Sequence, residues 1–242
     1  MISRRRLFVI AATVFILLSL YESSVYYVHV RTIWKDVVWF SVLRHVFADP
    51  SAGVFSLLPP IDVSDDPSRP HCIVDVGAHD GVFQSNSFFP IRSRGWRGWL
   101  FELDPVLCAR AAAVHEDWPS VRVVCAGLSN RTEIATFRQI TVGLQNSLET
   151  TRRQYDPQLG FKERAAVVLD ASIVCDELAR FNCSQRILSL DVEGHEHTIL
   201  PRFNCRFDFI ILEGTLWRSD GLVGRNCTLL FKAQYNNVYR CA

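Results

Sequence analysis

The chain lacks several signatures that would settle its class at once. No two of its eight cysteines form a C-x-x-C pair, so zinc-ribbon and thioredoxin-type readings have no support. No G-x-G-x-x-G fingerprint is present, because His79 stands where the middle glycine would be and Val82 where the last would be. No lysine follows Gly81, which excludes a phosphate-cradling P-loop. A net charge of +1 gives no field to gather nucleic acid, so no nucleic-acid partner is expected. Internal repeats and low-complexity tracts are absent as well.

What is present centres on residues 72–81, Cys-Ile-Val-Asp-Val-Gly-Ala-His-Asp-Gly. A short β-branched run ends in Asp75 and is followed by two glycines four apart, which reads as a buried strand, a tight turn and a helix start. About 25 residues later Gly98-Trp99-Leu100-Phe101 forms a second strand signal ending in Glu102. A carboxylate there can accept two hydrogen bonds from a ribose diol. The looser G-x-x-x-G turn with acids at two strand ends suits S-adenosylmethionine, which presents an ammonium, a sulfonium and a ribose but no phosphate. Asp75 is expected at the ammonium end and Glu102 at the ribose hydroxyls.

Further along, Pro105 to Val114 and Asp176 to Phe181 read as helices, and 85–89 as a continuation of the first helix. Val121 to Cys125, Glu133 to Ile140, Ala165 to Leu169, Arg186 to Leu190 and Phe207 to Leu212 read as strands, with a polar loop over 141–164. Strands alternating with helices imply a mostly parallel α/β sheet covered on both faces. Asp75, Glu102, Asp191 and Glu213 all end predicted strands, the edge where such sheets bind ligands. Methyl transfer to a hydroxyl needs a base; Asp191, Glu193 and His195 are the candidates, with His195 best suited to neutral pH. His115 and His197 read as surface histidines.

The N-terminus carries an address. Arg4-Arg5-Arg6 precede Leu7 to Tyr21, a run of 15 uncharged residues that spans about 22 Å as a helix. With the apolar stretch to Val30, and no clear cleavage site, this reads as an uncleaved signal anchor with the arginines cytoplasmic. The expected division is a cytoplasmic tail at 1–6, a membrane anchor at 7–30, a stem helix and Pro-rich linker at 31–70, and a globular domain at 71–242. That is type II topology, with the domain in the Golgi or endoplasmic reticulum lumen. Three glycosylation sequons begin at Asn130, Asn182 and Asn226 and agree with a luminal location. In an oxidising lumen Cys183, Cys205, Cys227 and Cys241 could pair. Cys72, Cys108 and Cys125 read as buried small hydrophobes.

The segments at 74–81, 95–102 and 190–196 (Leu-Asp-Val-Glu-Gly-His-Glu) resemble the FkbM-type methyltransferase family in sequence and order. The resemblance covers roughly residues 71–215. It implies a Rossmann-like class I S-adenosylmethionine-dependent fold and O-methylation of hydroxyls, often on sugars. By position it implies that Asp75, Gly77, Ala78 and Gly81 match the cofactor turn, in which His79 also lies as a candidate cofactor contact, that Glu102 is the ribose acid, and that Ala126 to Leu128 flank the adenine. It assigns no metal. The fold normally closes with a strand hairpin; here only Asn237 to Arg240 remains after the last helix, which points to a sheet truncated at that hairpin.

Two other readings stay open. Asp191-Val192-Glu193 after an apolar strand imitates the acidic motif of a metal-dependent glycosyltransferase. A short C-terminus and a stem also suit a non-catalytic, membrane-tethered descendant of the methyltransferase fold.

Overall fold

The structure is a computed structural model that describes residues 69–83, 85–140, 148, 161–213, 226–232 and 236–242. Chain contacts divide the protein into Met1–Asp49 and Pro50–Ala242, and all described residues belong to the second unit. The expected tail, anchor and stem, nearly all of the linker, and most of the 141–164 loop lie outside the described residues. Among those described, no helix is long and apolar enough to cross a membrane.

Strand β1 (His71–Val76) is the third strand, in spatial order, of a seven-stranded sheet. Helix α1 (Phe88–Arg94) leads to β2 (Arg97–Phe101), and α2 (Pro105–Val114) to β3 (Val121–Val124). After a second, small sheet come α3 (Ile173–Arg180), β7 (Gln185–Leu190), the short α4 (Glu196–Ile199) and β8 (Phe209–Glu213). Strands β9 (Cys227–Lys232) and β10 (Asn236–Cys241) complete the order β3-β2-β1-β7-β8-β10-β9. The first five of these strands in spatial order run parallel, and β10 pairs antiparallel with both β8 and β9. The strand order reverses between β1 and β7, so their carboxyl ends open a crevice there.

Side-chain alternation builds a core on each face of the sheet. Cys72, Val74, Val76, Trp99, Phe101, Leu188, Leu190, Ile210 and Leu212 pack on one face. Ile73, Leu100, Ile187, Ile211 and Val238 pack on the other, beneath Ile91 of α1. Burial of each such side chain is worth about 1.5–3 kcal/mol, which makes the central strands the most strongly held part of the domain.

Several expectations require correction. The closing hairpin is present: β9 and β10 pair from Asn237↔Lys232 to Cys241↔Cys227, so the sheet is not truncated. The strands are hard to read because β10 opens with two asparagines and β9, at the sheet edge, has no buried residue to give an alternating pattern. The first helix does not continue from Gly81; it begins at Phe88, after turns whose polar side chains bind back to β1. The segment at 127–170 forms a separate sheet of order β4-β6-β5, from β4 (Gly127–Ser129), β5 (Glu133–Ile140) and β6 (Phe161–Asp170).

All eight cysteines are paired, as Cys72–Cys183, Cys108–Cys125, Cys175–Cys205 and Cys227–Cys241. None of Cys72, Cys108 and Cys125 is therefore a free core residue: Cys72 and Cys108 are buried and cross-linked, and Cys125 is exposed. Cys72 opens β1 and Cys183 precedes β7, its neighbour.

The bridges close loops of very different length, 111 residues for Cys72–Cys183 and 14 for Cys227–Cys241. Loop-closure entropy predicts that Cys72→Ala/Cys183→Ala lowers the unfolding free energy by about 5 kcal/mol and Cys227→Ala/Cys241→Ala by about 3 kcal/mol. Denaturant titration of the two double variants measures the difference; equal losses would sink the chain-entropy account.

Candidate active site

The crevice is assembled by backbone before any side chain contributes. The amides of Gly77 and Ala78 both donate to the Phe101 carbonyl, at 2.9 and 3.1 Å, and the Asp191 amide donates to the Val76 carbonyl at 2.9 Å. The ends of β1, β2 and β7 are thereby joined. Gly77 has φ +87°, and a Cβ on it would lie 1.8 Å from the Asp191 carbonyl oxygen. Glycine is thus required twice over, for its dihedral and for the approach of the next strand. Gly81, at φ +78°, lets the turn rest on Ala111 and His115 of the α2 region.

Glu102 ends β2 inside this junction. One of its oxygens accepts from the His79 amide at 2.8 Å and the other from the Asp104 amide at 2.8 Å. Burial pushes its carboxyl up to about 7, against the opposing pull of those two amides. His79 holds a left-handed backbone, φ +53°, to present its amide. Asp104 caps α2 by accepting from Val106 and Leu107, with Pro105 at the first helical position.

The opposite wall comes from the residues after β7. Glu193 (φ +54°) and Gly194 (φ +102°) turn the chain sharply, and buried Glu196 accepts from the Val192 and Gly194 amides. His195 then starts α4, and its Nε2 lies 3.2 Å from Ser129 Oγ of β4. Asp191, Glu193 and Glu213 each place a carboxylate oxygen within 4.8 Å of the others. Such crowding is relieved either by a hard divalent cation or by a proton. Burial, then the hydrogen bond with Glu213 and the charges of Glu213, Glu193 and Asp75, hold Asp191 well above the usual carboxylate range. Asp191 is therefore held toward its neutral form, which suits a proton donor or the partner of a cation better than a base.

The structure brings Gly77, His79, Glu102, Leu128, Asp191, Glu193 and His195 together around one cleft. It does not bring Asp75 there. Asp75 is 1% exposed, and its Oδ2 accepts from Ser85 Oγ at 2.9 Å, Ser87 Oγ at 2.7 Å and the Ser87 amide at 3.1 Å. The cause is strand alternation: Asp75 shares the face of Ile73, away from Val74 and Val76. Its role is to anchor the 85–87 turn, and an ammonium group in the cleft would not meet it. Ala78, Gly81 and Ala126 also lie outside the lining. His115 is another correction, being 3% exposed with Nε2 3.2 Å from the Gly81 carbonyl and its pKa lowered by burial.

Sequence reasoning missed Leu103, Leu107 and Leu148, which line the cleft, and Ser129, which meets His195. The Asp104-Pro105 helix start could have placed Leu103 and Leu107 beside the end of β2. Nothing in the sequence marks Ser129, whose contact spans 66 residues.

A sheet of this order, with a glycine turn after its first strand and an acid after its second, is the Rossmann-like methyltransferase arrangement. The chain belongs to the methyltransferase FkbM domain family, whose profile matches residues 75–233, more than half of its length. Among solved structures it is similar to the methyltransferase FkbM from Methylobacillus flagellatus KT, at 13% identity and TM-score 0.40, covering 71% of this chain and 43% of that one. It is also similar to a TehB-like SAM-dependent methyltransferase from Corynebacterium glutamicum, at 13% identity and TM-score 0.37, covering 88% and 96%. A third likeness is to the DszA carbon methyltransferase, at 8% identity and TM-score 0.35, covering 73% and 48%. The chain thus spans less than half the length of the first of these structures, and the family assignment rests on the profile match. No curated protein matches the chain. With that assignment the glycosyltransferase reading loses its basis, and the presence of β9 and β10 removes the truncated sheet that favoured a non-catalytic descendant.

Two outcomes follow from this geometry. Gly77→Ala must accept both a left-handed backbone, worth about 1–2 kcal/mol, and a backbone overlap, so a loss of more than about 2 kcal/mol is expected by denaturant unfolding; a loss under about 1 kcal/mol would show that β1 and β7 part easily. Glu102 has a folded pKa of about 7 against an ordinary 4.5. Its contribution to stability is complete below pH about 4.5 and is lost as pH rises through about 7, with a ceiling on the order of 3 kcal/mol. Thermal unfolding from pH 4.5 to 8 should therefore show a falling Tm, and a flatter profile in Glu102→Ala.

Proposed function

We propose that the protein is a membrane-anchored, luminal O-methyltransferase that uses S-adenosylmethionine to methylate a hydroxyl of a carbohydrate acceptor. The observation that carries this reading is the pairing, in one cleft, of Glu102 on one wall with His195 and the acids on the other.

The donor set fits the cofactor. Each Glu102 oxygen holds one backbone amide and retains acceptor capacity for a ribose hydroxyl. Leu103, Leu107 and Leu128 offer apolar walls for a purine. Asp191 and Glu193 offer negative charge to an ammonium and a sulfonium, and a cation there relieves the crowding that raises the pKa of Asp191. The cleft encloses about 70 Å³, below the several hundred typical of ligand sites, so its walls have to move apart to admit a nucleoside.

When bound, S-adenosylmethionine supplies an electrophilic methyl group. His195 takes the proton of the attacking hydroxyl, and Ser129 Oγ orients its ring. Glu196 holds the 192–194 turn that positions His195. The luminal assignment draws on the arginine-flanked apolar run at 7–30 and on the four disulfides, which persist in oxidising compartments. Hydroxyl acceptors in such a compartment are chiefly glycans.

Calorimetry on the full chain tests the reading. Saturable S-adenosylmethionine binding without added divalent ion is expected, and its absence would end the proposal. Glu102→Ala should weaken binding by about 1.5–3 kcal/mol, the scale of hydrogen bonds to a charged group. His195→Ala should leave cofactor affinity within about twofold while lowering methyl transfer by about 100-fold or more, the range of general-base catalysis. Unchanged turnover in that variant would take His195 out of the chemistry.

A further inference from the structure

The catalytic crevice uses the carboxyl edge of the sheet. The amino edge carries a second set of features that methyl transfer leaves unexplained. Asn182 lies just before β7, and Asn226 just before β9. Because β9 runs antiparallel to β10, and β10 antiparallel to β8, Cys227 at the start of β9 sits beside Cys241, near the start of β8. Both asparagines therefore stand at the pole opposite Glu102 and His195. Each begins a sequon, Asn182-Cys183-Ser184 and Asn226-Cys227-Thr228.

Both are exposed, and both adopt a left-handed turn, φ +45° at Asn182 and +54° at Asn226. Such turns lift a side chain clear of the strand that follows. Beside Asn226 the same pole holds a cavity of about 440 Å³ lined by polar side chains, including Ser184, Gln185, Arg206 and Arg240. Gln185 Oε1 is buried there without a hydrogen-bond partner. The cavity is large and polar enough to receive the first sugars of a chain attached next to it. The third sequon differs. Asn130 directly follows Ser129, which meets His195, so a glycan there would stand at the rim of the catalytic cleft.

We propose that Asn182 and Asn226 carry N-linked glycans, displayed on the pole of the domain opposite the catalytic cleft. The inference rests on the luminal part of the proposed function and on no part of its chemistry. The co-reactant is a lipid-pyrophosphate-linked oligosaccharide. A bond forms between the asparagine Nδ2 and the anomeric carbon of the first sugar, while that carbon's bond to the pyrophosphate oxygen breaks. The lipid pyrophosphate leaves, and the amide nitrogen gives up one proton to the transferase.

The fold also sets the order of events at Asn182. Ser184 Oγ donates to the Arg69 and Pro70 carbonyls at 3.2 and 3.3 Å, and the Arg69 guanidinium donates to the Asn182 and Cys183 carbonyls at 3.3 Å. Once β1 pairs with β7 and Cys72 joins Cys183, the sequon hydroxyl is taken. Glycan transfer to Asn182 precedes closure of that bridge.

The test is site mapping on the full chain expressed in cultured eukaryotic cells, with a sequon-bearing tag added at the C-terminus as a location control. Amidase release of glycans in heavy-oxygen water converts each occupied asparagine to a mass-tagged aspartate. Tagged Asp at 182 and 226 is the expected result, with two steps of mobility lost on deglycosylation beyond the step from the control. A glycosylated control with residues 182 and 226 untagged overturns the inference and leaves the luminal reading standing. An unmodified control together with untagged 182 and 226 overturns both. Cys183→Ser keeps the sequon and removes the bridge, so occupancy at Asn182 is expected to hold or rise; a fall would overturn the stated order of transfer and closure.

Discussion

The approach of Gly77 to the Asp191 carbonyl is the constraint on which the site depends. It brings the ends of two neighbouring parallel strands closer than any side chain would allow. The amides of Gly77 and Ala78 are then free to reach the end of β2, and the turn that follows places the His79 amide on Glu102. One missing Cβ thus fixes the relative positions of the two walls of the cleft.

The second organising feature is an excess of negative charge that the protein tolerates. Glu102, Asp191, Glu193 and Glu213 crowd the carboxyl edge, and burial holds Glu102 and Asp191 in their neutral forms more than water would. Buried carboxylates are unfavourable unless paired, so the charge of the cleft favours a positively charged ligand. Asp75, in contrast, has been turned to structural use. Three donors from the 85–87 turn surround it, and it no longer belongs to the ligand's surroundings. The same residue type, four strand ends and two faces, yields two roles because the side-chain period of a strand is two.

The disulfides secure what packing alone leaves weak. Cys72–Cys183 fastens the amino ends of the switch-point strands, and Cys227–Cys241 fastens the edge hairpin. Both lie at the pole away from the cleft, whereas Cys108–Cys125 joins α2 to the end of β3 beside the cleft residues Leu107 and Gly127.

Residues 72–81, 98–102 and 186–191 declared the parallel sheet in the sequence, because apolar runs ending in acids have few other uses. The same residues placed Gly77, Glu102 and Asp191 at a common edge, with His195 four residues further on, since strand ends of one sheet share an edge. Local pattern could go no further. It could not tell that Asp75 faces away, because a face is assigned only when neighbouring strands and helices claim the other. The cysteine pairing, the edge hairpin, the buried His115 and the contact between Ser129 and His195 all depend on residues distant in the chain meeting in space, and only the tertiary structure decided them.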